Sequence, residues 1–334
     1  MRAIILTAHG GPETLTYDTA YPDPKPGAGE VLIKVGACSL NYHDVFTRRG
    51  MPGIKVPLPV VPGIDIAGTV AALGPEVSGV AVGARFLLDP VIPGVGLMGE
   101  MRDGGLAEYC VVGARQLVPI PDGVPFEEAA AIPVAYGTAH RMLTVNGPIE
   151  KGQKVFVLGA GGGVGTACVL LAKLAGAEVI AAASSDDKLQ RLKDLGADHL
   201  INYAKTDFMK DLHERYGRPQ RRTYDGGVDM VVNYTGGDTW VPSLRVLKRG
   251  GRLMVCGATA GYAPAEDLRY VWSFELKILG SNSFGKSDLV ALLDLAASRR
   301  LVPVVDRVLP LAQGREAVSL LEDRQVFGKI VVAP

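Results

Sequence analysis

The chain has 334 residues, 48% hydrophobic and 21% charged, which excludes intrinsic disorder; single cores stop growing near about 250–300 residues, so two domains are predicted. Lys plus Arg and Asp plus Glu each number 35, so the charge is balanced and the basic excess of a nucleic-acid or polybasic membrane binder is missing. No apolar run reaches the roughly 18 residues of a membrane span, and Cys38, Cys110, Cys168 and Cys256 form no CxxC pair, which excludes a zinc knuckle or redox dithiol and predicts reduced, buried thiols.

In chain order, residues 1–6 read as a first strand; they are too short and too quickly followed by polar residues to be a leader, which predicts a cytoplasmic protein. Residues 31–35, 66–70, 86–88 and 106–112 read as further strands, separated by Pro and Gly turns at short intervals, the pattern of a barrel or sandwich. After Pro121 two helices are predicted, over 127–132 and 135–145. Strands and helices then alternate: strands at 154–158, 178–182, 199–203, 229–233, 252–256 and 277–281, with helices at 164–175 and 187–195. The run Lys154-Val155-Phe156-Val157-Leu158 is apolar almost throughout, as in a strand buried on both faces, and the alternation predicts a doubly wound parallel sheet. A helix at 288–298, a strand at 304–308, a helix near 315–321 and a strand at 328–332 return to the first architecture. The expected division is 1–123 with 285–334 as one domain and 124–284 as an inserted dinucleotide-binding domain, with a ligand cleft between them.

The segment Gly159-Ala160-Gly161-Gly162-Gly163-Val164-Gly165 lies between a buried strand and a helix. Aligned to end on Gly165, the dinucleotide fingerprint has Ala160 in its first glycine position and Gly162 in its second. The tight turn, close backbone approach to a pyrophosphate and helix N-terminus remain available. The second strand ends Ala183-Ser184-Ser185, with no carboxylate for a ribose hydroxyl but two hydroxyls and nearby Lys188. That favours NADPH over NADH.

Several further segments join this loop: Gly68, Gly74 and Gly83-Ala84-Arg85; Gly104-Gly105-Leu106-Ala107-Glu108-Tyr109; Leu195-Gly196-Ala197-Asp198; Gly250-Gly251-Arg252-Leu253; and Gly328-Lys329-Ile330-Val331-Val332. With them the whole chain resembles the medium-chain dehydrogenase/reductase superfamily. The resemblance implies an α/β protein with a GroES-like β-barrel catalytic domain and a Rossmann doubly wound parallel-sheet domain. Zinc-containing members carry a cysteine where this chain has Asn41, a histidine where it has Ile64, and a second cysteine near Pro133-Val134; the four-cysteine lobe is replaced by residues 89–96, which contain none. A zinc-type scaffold without either metal is therefore expected, since a catalytic zinc needs three protein N, S or O ligands.

Asn41-Tyr42-His43-Asp44 resembles the zinc-free quinone oxidoreductase and zeta-crystallin branch, and Pro62-Gly63-Ile64-Asp65 resembles NADPH-dependent acryloyl-thioester reductases. The implied reaction is hydride transfer from NADPH to an activated C=C bond of an enone, enal or enoyl thioester, or to a quinone. Two alternatives stand beside it: a zinc-free carbonyl reductase, and an NADPH-binding protein without turnover.

Without zinc, a substrate carbonyl must be polarised by hydrogen-bond donors and a proton supplied by a side chain or water. His43 stands where zinc members have a proton-relay hydroxyl; it fits that role, or a backbone-bonded histidine at the edge of the cleft. Tyr42 fits a hydroxyl donor or packing beneath the cofactor. Asn41 is expected at the nicotinamide or its ribose, and Asp44 fits a helix cap. The resemblance further implies cofactor contacts from Thr138, Gly162, Gly163, Val164, Ser184, Ser185, Lys188, Tyr203, Cys256, Gly257, Ala258, Phe284 and Lys329. Cys256 has no neighbouring base and reads as inert. The expected partners are a hydrophobic small-molecule substrate, suggested by Phe46, Met51, Ile54, Val95, Leu97 and Met98, and a second copy pairing through the edge strand at 277–281 in a homodimer or tetramer.

Overall fold

A computed structural model describes residues 1–334. The chain divides into two compact units, Met1–Tyr136 with Gly285–Pro334, and Gly137–Phe284. No helix in either is long and apolar enough to cross a membrane.

The first unit is the GroES-like one. Its largest sheet runs Val305–Pro310, Lys329–Ala333, Glu30–Ser39, Asp65–Leu73, Arg85–Leu88, Leu117–Pro119, and Tyr109–Gly113 adds to Glu30–Ser39. Alternation decides which face is inward: Val31, Ile33 and Val35 are buried while Lys34 between them is exposed. The strand predicted at 106–112 begins only at Tyr109. The residues before it cross to other partners: the Leu106 amide donates to Pro62 and the Glu108 amide to Arg2. The C-terminal segment returns as expected, and Lys329–Ala333 pairs antiparallel with Glu30–Ser39 through Val331 and Val332. Residues 124–136, including the helix Phe126–Ala130, belong to this unit. The second helix predicted there is less regular, with π-type turns at Ile132–Gly137 and Arg141–Asn146 either side of Thr138–His140.

The second unit is a Rossmann sheet, all parallel, in the order His199–Asn202, Glu178–Ala183, Lys154–Leu158, Val228–Val232, Leu247–Val255, Lys277–Gly280. Val155, Phe156, Val157, Val179, Ile180, Ala181 and Ala182 are fully buried, which explains the apolar runs of its central strands. Lys277–Gly280 is the edge, and Ile278 on it is 41% exposed.

Candidate functional site

In the first unit the site is built on the start of the helix Tyr42–Arg49. Asn41 is the N-cap, and Asp44 three residues on reaches back, its Oδ2 accepting the Asn41 amide at 2.7 Å while its own amide donates to the Asn41 carbonyl at 3.0 Å. The other Asp44 oxygen accepts the Gly63 amide at 3.2 Å, tying the helix start to the Pro62-Gly63 turn. Glycine is required at Gly63, where φ is +102° and a Cβ would lie 2.6 Å from Cys38 Sγ. Gly99 packs directly on it, since a Cβ there would lie 2.8 Å from the Gly63 backbone. This backbone-to-backbone contact carries the next residue, Glu100, to His43, whose Nε2 is 2.7 Å from Glu100 Oε2. His43 is partly exposed and Glu100 is buried. Burial alone would lower the His43 pKa, but the Glu100 carboxylate, aided by Asp44, more than reverses this and raises it. Tyr42 packs edge-on against Phe46 at 5.1 Å between ring centres.

Below the helix start lies a buried polar cluster. The Lys329 ammonium, 2% exposed, donates to Asn41 Oδ1 at 2.5 Å, the Leu40 carbonyl at 2.8 Å and Asp65 Oδ2 at 3.2 Å. Asn41 Nδ2 donates to the same Asp65 oxygen at 2.8 Å, and the Val134 amide donates to Asp65 Oδ1 at 3.0 Å. The three donors of the ammonium thus have three acceptors, and the Asn41 amide is fixed with oxygen toward Lys329 and nitrogen toward Asp65. These are the positions where zinc-containing relatives are expected to hold metal: Asn41, Ile64 and the Pro133-Val134 segment. They do not fit a zinc ion, because an amide, a buried isoleucine and a backbone N–H replace its ligands and the Lys329 ammonium already lies among them. No group of three or more His, Cys, Asp or Glu side chains could hold a metal elsewhere.

Burial pushes the Asp44 carboxyl up to about 6 from 3.8, with Asp65 adding repulsion while the Asn41 amide, His43 and Lys329 oppose it. The folded unit therefore binds this proton more tightly than the unfolded chain, so the stabilisation is full below pH 4 and lost as pH rises through 6. At 1.36 kcal/mol per pKa unit, Asp44 is expected to make the unit on the order of 3 kcal/mol less stable at pH 7 than at pH 4. Denaturation across that range should show a steeper loss for the native chain than for Asp44→Asn.

The second unit carries the glycine loop between Lys154–Leu158 and the helix Gly163–Leu174, with Gly162 as N-cap. A Cβ on Gly165 would lie 2.6 Å from both Ala160 Cα and the Tyr234 hydroxyl, whereas a Cβ on Gly162 would make one ordinary contact, 3.9 Å from the Gly159 carbonyl oxygen. Gly165 is thus needed for packing, while Gly162 leaves its backbone open to a ligand. The first-turn amides of Gly163, Val164 and Gly165 have no intrahelical acceptor, and this cradle fits a pyrophosphate. The Tyr234 hydroxyl, not anticipated from sequence, donates to the Gly159 carbonyl at 2.7 Å and braces the loop.

At the second strand's tip Ser184 is exposed, and Ser185 caps the helix Asp186–Asp194 by accepting the Lys188 amide at 3.4 Å. Asp186 is engaged by Asn202 at 2.6 Å and Lys205 at 2.5 Å. Tyr203 follows the third strand and is 38% exposed. Cys256, Gly257 and Ala258 follow Leu247–Val255, and burial pushes the Cys256 thiol up to about 12, as for an unreactive cysteine. Thr138 is buried at the head of its short helix, and Phe284 lies against Gly137. Asn41 and Lys329, the two predicted cofactor contacts that belong to the first unit, are hydrogen-bonded to each other in its buried cluster. Glu100 was missed from sequence because 57 residues separate it from His43 and tertiary packing, including the Gly63–Gly99 contact, brings them together.

Comparisons with known proteins agree with both units. A family model for the alcohol dehydrogenase GroES-like domain matches residues 27–122, and one for zinc-binding dehydrogenases matches 163–298. The acryloyl-coenzyme A reductase of Sulfurisphaera tokodaii is 30% identical, with 100% of both chains covered. The 2-methylene-furan-3-one reductase of Solanum lycopersicum is 33% identical over 100% of this chain and 79% of its own. The crystal structure of an NAD-dependent alcohol dehydrogenase matches with a TM-score of 0.92 at 38% identity, covering 100% of both chains.

Proposed function

The chain belongs to the medium-chain dehydrogenase/reductase superfamily of oxidoreductases, and from that premise we propose that it is an NADPH-dependent, zinc-independent reductase of an activated C=C bond in an enone, enal or enoyl thioester, or of a quinone. The observation that carries this reading is the Lys329 ammonium among Asn41, Asp65 and Leu40, which leaves carbonyl polarisation to hydrogen-bond donors. Relatives named as acryloyl-coenzyme A and 2-methylene-furan-3-one reductases support it.

Gly162, Gly163, Val164 and the strand ends at Ser184, Ser185, Lys188, Tyr203, Cys256, Gly257 and Ala258 would hold a reduced nicotinamide dinucleotide, with Thr138 and Phe284 as further contacts, and the group would supply a hydride when bound. His43 donates the proton that completes saturation of the double bond, or donates a hydrogen bond to the carbonyl oxygen as charge develops there. The second Asn41 Nδ2 hydrogen and the Tyr42 hydroxyl are the remaining donors at this turn. The likeness to an NAD-dependent alcohol dehydrogenase favours a second reading, reduction of C=O.

Chelator-treated protein supplied with NADPH and a paired enone and saturated ketone separates the two. Turnover of the enone to the saturated ketone is expected, unchanged by chelation. Turnover of the saturated ketone alone, or activity restored by zinc, overturns the proposal.

Cofactor choice follows from the strand tip, where Ser184 and Ser185 follow the second strand with no carboxylate at the tip itself, and Asp186 in the first turn of the next helix is hydrogen-bonded to Asn202 and Lys205. Ser184→Asp is expected to weaken NADPH binding and favour NADH by about tenfold each, or about 1.4 kcal/mol, in cofactor titrations. We also propose a homodimer through the Lys277–Gly280 edge, whose unpaired backbone and exposed Ile278 suit a second copy.

A further inference from the structure

Glu100 is 4% exposed, and its carboxylate meets the Nε2 of His43 at 2.7 Å. A buried carboxylate is costly unless it is paired or hydrogen-bonded, so this contact matters to both partners. The neighbouring Arg102 is directed elsewhere, to Glu30 at 2.8 Å. The other acid facing His43 is Asp44, whose two oxygens are engaged by the Asn41 and Gly63 amides. Glu100 is therefore the group able to fix the imidazole's orientation and tautomer, as a carboxylate does when it accepts one ring N–H and leaves the other nitrogen for chemistry.

We propose that Glu100 is the positioning residue for proton transfer, accepting Nε2–H of His43 and leaving Nδ1 as the nitrogen that exchanges a proton with substrate. This rests on the reductase reading above. A hydride delivered to the β-carbon would push the electron pair of the C=C bond toward the carbonyl, giving an enolate. The His43 imidazolium then loses its Nδ1 proton to the α-carbon, a C–H bond forms as N–H breaks, and the neutral Nε2–H ring stays on Glu100 until water reprotonates Nδ1. Loss of the carboxylate charge removes the main influence that raises the His43 pKa.

The test is a histidine NMR titration of the full chain, native and Glu100→Gln, with His43→Gln to assign the signal, alongside kcat and KM for an enone from pH 6 to 8.5. The native protein is expected to show the Nε2–H tautomer at high pH. Glu100→Gln is expected to lower the His43 pKa by about one unit, and to lower kcat about tenfold at pH 8 with little change at pH 6 or in KM. An Nδ1–H tautomer in the native protein, which needs no variant to detect, overturns the proposal, as does a His43 pKa unchanged by the substitution. If the pKa shifts but native protein reduces no enone, the His43–Glu100 pairing stands and the reductase reading falls.

Discussion

Replacing Lys329 with methionine is expected to destabilise the GroES-like unit by about 3–5 kcal/mol, the usual cost of removing one partner from a buried ion pair. The ammonium is 2% exposed and Asp65 is fully buried, so no water can take over the lost interactions. Methionine fills similar volume but leaves Asp65 Oδ2 with the Asn41 amide alone and leaves the Leu40 carbonyl and Asn41 Oδ1 without this donor. Burial already raises the Asp65 pKa even with Lys329 opposing it, and without the cation the carboxyl is expected to take up a proton instead. The double variant Lys329→Met, Asp65→Asn should recover much of the loss, because its two neutral groups require no charge compensation. Both tryptophans, Trp240 and Trp272, lie in the Gly137–Phe284 unit, so their fluorescence would miss the effect. Hydrogen exchange at Asp65–Leu73 in urea reads it directly. Equal protection in the native chain and Lys329→Met would mean that the cluster contributes nothing net.

Gly165→Val is the second large effect. Its side chain would have to enter space held by Ala160 and the Tyr234 hydroxyl, each 2.6 Å from the new Cβ. Overpacking of this kind costs about 1–3 kcal/mol, and the backbone that yields is the dinucleotide loop itself. Binding of NADPH, followed by fluorescence of the reduced nicotinamide, should weaken tenfold to a hundredfold or more, since about 1.4 kcal/mol is tenfold. Gly162→Ala is the informative contrast. Its Cβ makes only an ordinary contact with the Gly159 carbonyl oxygen, so unfolding should be unchanged, and weaker NADPH binding would then report the ligand's own close approach. Unaltered affinity in both variants would place the cofactor away from this loop.

Local chemistry made the Rossmann unit readable in advance. The strand at 154–158, the glycine turn and the following helix fall where periodicity and glycine placement put them, at Lys154–Leu158 and Gly163–Leu174. The hairpin of Ala3–Leu6 with Leu15–Asp18 was half seen, because Leu15 is the sole buried residue of its second strand and gives no alternation. The site in the first unit was legible only as far as neighbours in sequence reach. Asn41 to Asp44 announce a capped helix, and the Asp44 carboxylate does reach back to the Asn41 amide. Lys329 gave no local sign of its burial, because its acceptors on Leu40, Asn41 and Asp65 lie 264 to 289 residues away. Glu100 was silent for the same reason, since the Gly63–Gly99 contact that aims it belongs to tertiary packing rather than to any repeat in the sequence.

The wide separation of Asp65 from Lys329 also has a consequence for biosynthesis. A ribosome delivers the chain from its N-terminus at about 5–20 residues per second, so Asp65 emerges many seconds before its counter-ion. During that interval the Gly137–Phe284 unit, which is contiguous, has all the residues of its sheet and can close first. The earlier-made unit lacks both the strand Lys329–Ala333 that pairs with Glu30–Ser39 and the cation that neutralises its buried acid. Its nascent form must keep Asp65 hydrated or protonated, leaving the sheet edge open to chaperones until the last strand arrives.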